Sequence, residues 1–196
     1  RLKNIFTEPP MVAFRRLPCI SDKIINSYHI PSKQTYQNNT TPCDMKNCKC
    51  CKLINKNNII KINKSEHKII KGGSCSTKNI IYSIKCKICN LSYVGETCNQ
   101  LNTRMNGHRS SVNTIKAGKK LDDKYNDNSV AYHFSKKDHN FDHHSEVCII
   151  ESGNWNSTSE RRSREDYYIS KFQCLQPNGG LNIKRGQFTN SFYNFY

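Results

Sequence analysis

Apolar and polar positions alternate most clearly between Asn79 and Gly95. Ile81, Ser83 and Lys85 alternate with Ile80, Tyr82 and Ile84, and a second strand follows at Leu91–Gly95. This two-residue period predicts a β-hairpin over residues 79–95. Its connecting turn holds Cys86 and Cys89 at C-x2-C spacing. The period then changes. Over residues 97–114, Thr97 and Gln100 form a T-x-x-Q pattern ahead of the apolar stripe of Leu101 and Met105, which predicts a capped helix. A short helix is expected at Ser129–Phe134, and the run EVCIIE, Glu146–Glu151, reads as a buried strand. Ser157 and Glu160 form a second capping pattern, S-x-x-E, opening a helix through about Cys174. Pro177 and Gly179-Gly180 stop it. Upstream, Asn58–Ile62 and His67–Ile70 are short isoleucine-rich hairpin candidates. The order β-β-α, short helix, β, α predicts a small α+β domain, a short antiparallel sheet flanked by helices.

The flanks read differently. Residues 1–42 are expected to be a linker, because Pro9, Pro10, Pro18 and Pro31 interrupt any long period. An apolar cluster there, Met11, Val12 and Phe14, is suited to dock on a neighbour. The chain opens on Arg1 and runs straight into this segment, as expected of a piece of a longer polypeptide. Residues 116–128 read as a polar loop, and the tail LNIKRGQFTNSFYNFY is aromatic and polar.

Composition adds a constraint. Hydrophobic residues make up 35% of the 196, below the usual share of about 45–50%. The apolar core is therefore expected to be small and to need other support. Eleven cysteines offer it. The N-terminal stretch has no apolar signal region, and no run approaches the roughly 18 apolar residues of a membrane helix. The cysteines are thus expected in a reducing compartment, where metal ligation is favoured over disulfides, and an odd count argues against a closed disulfide framework.

Two ligand sets emerge. Cys43, Cys48, Cys51 and Cys75 surround the isoleucine-rich hairpin at spacings that suit a four-thiolate zinc site, defining a cysteine-rich module over residues 43–78. Cys50 competes with Cys51, and His67 is a substitute for Cys75. Downstream, His133 and His139 can complete a second zinc site with Cys86 and Cys89, with His143 and His144 as alternatives.

The net charge of +16, from 31 Lys+Arg against 15 Asp+Glu, points to a polyanionic partner, most simply nucleic acid. Arg104 and His108 are four residues apart and leave one helix face together, near Tyr82 and Tyr93. Glu165 falls on the same helical side as Tyr168, Ile169 and Phe172. A carboxylate beside an apolar stripe is costly to bury alone. It is either a surface residue paired with Arg161 or a metal ligand.

These residues together resemble a known family. Ile80-Ile81-Tyr82, Tyr93-Val94-Gly95, Arg104, His108 and the downstream Glu165 and Asn182 resemble the GIY-YIG endonucleases, with Ile80 where the first motif carries glycine. The chain is more closely similar to the endonuclease region of Penelope-like retroelements, in which two cysteines lie between the motifs and pair with two downstream histidines. Cys86, Cys89, His133 and His139 match that pattern. The upstream cysteine cluster matches too, and EPPMVAFRR resembles the linker after a reverse transcriptase. The resemblance implies a GIY-YIG nuclease domain over residues 79–190 with zinc-binding insertions, and hydrolysis of DNA phosphodiester bonds. It implies that Glu165 holds one Mg²⁺ or Mn²⁺, Arg104 contacts the phosphate, and Tyr82 acts as general base. Tyr93 orients water or phosphate, His108 assists proton transfer, and Asn182 orients the site. The implied partners are DNA and, in the same polypeptide, a reverse transcriptase with its RNA. No membrane is involved. The implied location is nuclear or chromatin-associated, and the implied role is nicking target DNA so that the 3′-hydroxyl primes reverse transcription. Two other readings compete: a catalytically silent zinc-stapled nucleic-acid-binding module, and a structure-specific DNA repair nuclease.

Overall fold

The computed structural model describes residues 37–43, 45–121, 128–155 and 157–183. Most of the linker expected over residues 1–42, including Met11, Val12 and Phe14, lies outside the described residues. So do residues 122–127 of the polar loop and the tail beyond residue 183.

Among the described residues there are seven strands: β1 (Thr40–Thr41), β2 (Ile59–Ile62), β3 (Ser65–Lys68), β4 (Gly73–Ser74), β5 (Ile80–Cys86), β6 (Ser92–Thr97) and β7 (Ser145–Ser152). Four α-helices join them: α1 (Leu101–Lys116), α2 (Ser129–Phe134), α3 (Phe141–His144) and α4 (Thr158–Lys171). The expected mixed α+β class is present, with short sheets. No helix of the described residues is long and apolar enough to cross a membrane.

The central sheet has the order β6-β5-β7 with antiparallel neighbours. Side chains alternate between its two faces. On one face Ile80, Tyr82, Ile84, Tyr93, Val147 and Ile149 pack against Leu101 and Met105 of α1 and Val130 and Phe134 of α2. On the other, Ile81, Val94, Cys148 and Ile150 meet Tyr168, Ile169 and Phe172 near α4, together with Ile60 and Ile62 of the β2–β3 hairpin. The sheet is thus the middle of three layers, and α4 and α1 lie on opposite sides of it.

Three boundaries differ from the sequence reading. Helix α1 begins at Leu101 rather than at residue 97, because Thr97 is still extended and pairs with Ile80 across the ladder. Gln100 is the N-cap but makes no side-chain cap bond. Thr97 Oγ1 instead accepts from the Asn99 amide at 3.1 Å. The strand expected at His67–Ile70 is displaced to Ser65–Lys68. Ile62 pairs with Ser65, leaving Asn63 and Lys64 as a two-residue turn, and Asn63 takes the positive φ of 51° that such turns need. The S-x-x-E pattern does cap α4, with Ser157 Oγ accepting from the Glu160 amide at 3.1 Å. That helix stops at Lys171, before Cys174, as Gln173 turns to a φ of 52°.

Candidate functional site

Helix α1 crosses the first face of the sheet and delivers Arg104 and His108 one turn apart onto Tyr82. Tyr82 is fully buried on the central strand. Its hydroxyl accepts from Arg104 Nε at 2.8 Å and lies 2.9 Å from His108 Nε2. The Tyr93 ring centres 6.4 Å from that of Tyr82 and 5.9 Å from that of His108, so the two phenols and the imidazole form one aromatic cluster. Four residues singled out from the sequence are therefore together.

Gly95 makes this possible. It pairs with Tyr82 across the ladder, and a Cβ there would lie 2.6 Å from the Tyr82 hydroxyl oxygen and 2.7 Å from the Tyr93 ring. A larger residue would push both phenols away. Ile80 occupies the same face and is fully buried in the core below Tyr82. Ile80 thus fills core volume.

Burial sets the electrostatics. It holds the His108 imidazole well below its ordinary pKa, with the Arg104 charge acting in the same direction, so His108 is neutral. It raises the Tyr82 phenol, and outweighs the opposing pull of Arg104. Arg104 is raised above the usual guanidinium range, chiefly by the Tyr82 oxygen. A neutral imidazole can accept the phenolic proton, whereas an imidazolium cannot.

Glu165 reaches this region from α4 by way of the sheet edge. The pairing with Arg161, one of the two alternatives, is not formed. Arg161 Nε donates instead to Glu96 Oε2 at 2.7 Å. Glu165 Oε1 accepts from the Glu96 backbone amide at 3.1 Å. The reason is register: Gly95 turns toward Tyr82, so Glu96 turns to the opposite face, where α4 lies. The outer edge of β6 is covered by three such contacts. The Leu181 amide donates to Ser92 O at 2.9 Å. The Asn182 side chain accepts from the Val94 amide at 2.9 Å and donates to the Val94 carbonyl at 2.8 Å. Glu165 makes the third. Asn182 thus clasps the strand between Tyr93 and Gly95, and both ends of its amide are used there. Burial, and next the Glu96 charge, push the Glu165 carboxyl up to about 8, while Arg104 opposes the shift. Glu96 was missed by the sequence reading, and its signal was the alternation with Gly95. Arg161 was expected there only as a partner for Glu165, whereas it pairs with Glu96.

Both expected ligand sets are assembled. The sulfurs of Cys43, Cys48, Cys51 and Cys75 lie within 4.8 Å of one another, as do the ligand atoms of Cys86, Cys89, His133 and His139. Cys51 Sγ is 3.7 Å from both Cys43 Sγ and Cys75 Sγ. A tetrahedral ion with metal–sulfur bonds of about 2.3 Å has sulfur–sulfur edges of about 3.8 Å. Cys89 Sγ and His133 Nε2 are 3.4 Å apart, close to the corresponding mixed edge. Both ring nitrogens of His139 are buried without a hydrogen-bond partner among the described residues, and a metal ion would engage one of them. Burial, then His139 and Lys136, hold His133 down at about 4, in the neutral form that ligates. These groups fit a tetrahedral ion such as zinc.

The open alternatives are resolved by position. Cys50 is buried in the core at 1% exposure, whereas Cys51 joins the thiolate set. His67 stands on β3 against Tyr168, with ring centroids 5.3 Å apart, and Cys75 takes the fourth place. His144 Nδ1 accepts from the Asn140 amide at 3.0 Å, and His143 is exposed. The ten cysteines among the described residues are free thiols.

Comparison with protein-family models, with curated proteins and with solved structures yields no match for this chain.

Proposed function

We propose that the chain is a metal-dependent DNA endonuclease of the GIY-YIG type, from a Penelope-like retroelement, that nicks target DNA by hydrolysis. The observation that carries this reading is the convergence of Arg104 and His108 on the Tyr82 hydroxyl, with the Tyr93 ring beside His108 and Glu165 electrostatically coupled to the same cluster. A core has no use for a guanidinium and an imidazole on one buried phenol, because each must lose its water shell to be there.

Each residue then has a task. Arg104 has its Nε on Tyr82, and the rest of the guanidinium fork is suited to two phosphate oxygens. Tyr82, with its oxygen already bonded by Arg104, passes its proton to neutral His108 and takes one from the attacking water. Tyr93 and Gly95 pack close beside it, and Asn182 holds the strand that carries both. Glu165 is the carboxylate suited to one Mg²⁺ or Mn²⁺, a hard ion that prefers oxygen ligands and would neutralise charge developing on the phosphate. The raised proton affinity of Glu165 is in keeping with this, since a buried carboxylate beside Glu96 gains most from a nearby cation. In both cysteine groups the ion would be zinc, and it would be structural, because four protein ligands leave no position for water. The partners on this reading are DNA, an upstream reverse transcriptase and its RNA, in the nucleus.

Plasmid nicking tests the proposal. Zinc-loaded protein should convert supercoiled plasmid to open circles with Mg²⁺ or Mn²⁺, and Glu165→Ala should abolish this with zinc content unchanged. Absence of nicking with every divalent metal, from folded and zinc-loaded protein, would overturn it. One observation favours a second reading, a catalytically silent zinc-stapled DNA-binding module: the Tyr82 hydroxyl is fully buried, so substrate must reach it through Arg104. The same assay decides between them.

A further inference from the structure

We propose that a groove between the four-cysteine module and the outer face of α1 binds a DNA strand through its phosphates, apart from the Tyr82 centre. The inference rests on the DNA reading above but not on the cleavage chemistry.

The groove has a volume of about 800 Å³. One wall is the turn carrying Asn47 and Lys49, and the other is the helix stripe Asn102, Asn106, Ser110 and Asn113. Steps of three and four residues place that stripe on the side of α1 turned away from Arg104 and His108. The helix therefore has two polar faces, and the Tyr82 centre uses only one. The lining has no acidic residue and includes Lys49, Arg109 and Lys119. In a chain of net charge +16 this selects a polyanion.

Arg109 supplies an independent sign of an anion. The residue is only 9% exposed. Its Nε donates to Asp142 Oδ1 and its Nη1 to Asn106 Oδ1, each at 2.6 Å. Its Nη2 is buried without a hydrogen-bond partner among the described residues. An unsatisfied buried guanidinium nitrogen is costly, and a small swing of the Arg109 side chain toward the groove would exchange that cost for a charge-assisted bond to a phosphate oxygen. The asparagine amides along the stripe can donate to and accept from sugar and base edges. Cys48, one of the thiolate set, also lines the groove, so metal binding shapes the wall that faces the helix.

The test is fluorescence anisotropy with a labelled DNA duplex over a series of KCl concentrations, using zinc-loaded protein without added Mg²⁺. The double variant Lys49→Glu/Lys119→Glu is compared with a charge-matched control, Lys61→Glu/Lys68→Glu, on the exposed β2–β3 hairpin beyond the other face of the sheet. The groove variant should bind at least about 10-fold more weakly than the control, and its log–log salt slope should fall by about two, one unit for each lost phosphate contact. Equal losses in the two variants would overturn the proposal. So would displacement of the duplex by a smaller amount of single-stranded RNA that needs the same two lysines. Should Lys49→Glu lower the zinc content, Asn113→Asp takes its place beside Lys119→Glu. Nicking separates the two proposals. A wild type that binds but never nicks removes the nuclease and keeps the groove, and a groove variant that binds like the control removes the groove alone.

Discussion

The two faces of the central sheet are made by the same three strands, yet they are held in different ways. At the centre of the second face Ile81, Val94 and Ile150 meet Ile169 and Phe172, while its polar groups, the Arg161–Glu96 pair and Glu165, gather at the edge of β6. The first face buries Tyr82, His108 and much of Arg104 among apolar neighbours. Polar groups there cost free energy even when bonded to one another. That face also packs against the two groups that could hold a metal ion. Cys86 ends β5, and His133 precedes Phe134 on α2. The Phe134 ring lies 5.3 Å from that of Phe141, which in turn lies 6.4 Å from His108. The costly polar cluster at the centre of the first face thus lies beside two groups that could hold a metal ion, whereas the centre of the second face is hydrocarbon.

Experiment can separate the two faces, with expected effects on stability that run from large to small. The largest should follow removal of metal. Structural zinc contributes about 10–16 kcal/mol in small zinc-binding peptides at neutral pH. Chelation, or Cys86→Ser, should abolish the cooperative melt followed by circular dichroism and destroy the first face before the second. Metal affinity should fall as pH falls. Burial holds the Cys48 thiol up at about 12 and Cys75 is raised as well, so both must release protons to bind. A chelated protein that melts like the loaded one would show that the metal groups carry no structural weight.

Phe172→Ala comes next. It removes a fully buried ring from the second face, for a loss of about 3–5 kcal/mol by urea denaturation. Zinc content should not change, and loss of zinc in this variant would mean that the two faces are not independent.

A comparable effect, spread over several pH units, is a pH slope. The Glu165 carboxyl stands at about 8 in the folded chain, against about 4.3 for an unfolded glutamate. Between those values the folded state holds a proton that the unfolded state has lost, so stability without divalent cation falls as pH rises through that window. The contribution cannot exceed about 1.4 kcal/mol per pH unit. Glu165→Gln should flatten the slope in melts run from acid to alkaline pH, and an unchanged slope would assign it to another group.

Tyr82→Phe should move stability least. It removes one hydroxyl and leaves Arg104 Nε and His108 Nε2 without their partner, a cost of about 1–3 kcal/mol. Nicking by this variant should nevertheless fall by roughly 10²–10⁴-fold, the usual worth of a general base. Full nicking activity in Tyr82→Phe would exclude it from proton transfer.

Much of this arrangement was readable from local spacing. The alternation over residues 79–95 gave the β5–β6 hairpin, the four-residue step gave Arg104 and His108 a common face, and Ser157 with Glu160 gave the start of α4. Local spacing failed where a partner far along the chain competes. Thr97 has the makings of a helix cap, but Ile80 holds it in the ladder. Arg161 and Glu165 are set to pair along a helix turn, but Glu96, 65 residues before Arg161, takes the guanidinium instead. Spacing favoured Cys51 and Cys75 but left Cys50 and His67 as competitors, and the fold carries both competitors elsewhere.

What the sequence determined alone, then, is the set of short-range devices: a C-x2-C turn, an alternating hairpin, a capped helix, a stripe of charge. These depend on backbone geometry over a few residues, which side-chain type largely dictates. The tertiary structure decided which devices meet. It turned Asn182 into a clasp on Val94, aimed Glu165 at the edge of β6, and closed both ligand sets across segments that are distant in sequence. Those choices depend on strand register, which places Gly95 under Tyr82 and Glu96 opposite it. Register is set by all three strands and both packed faces at once.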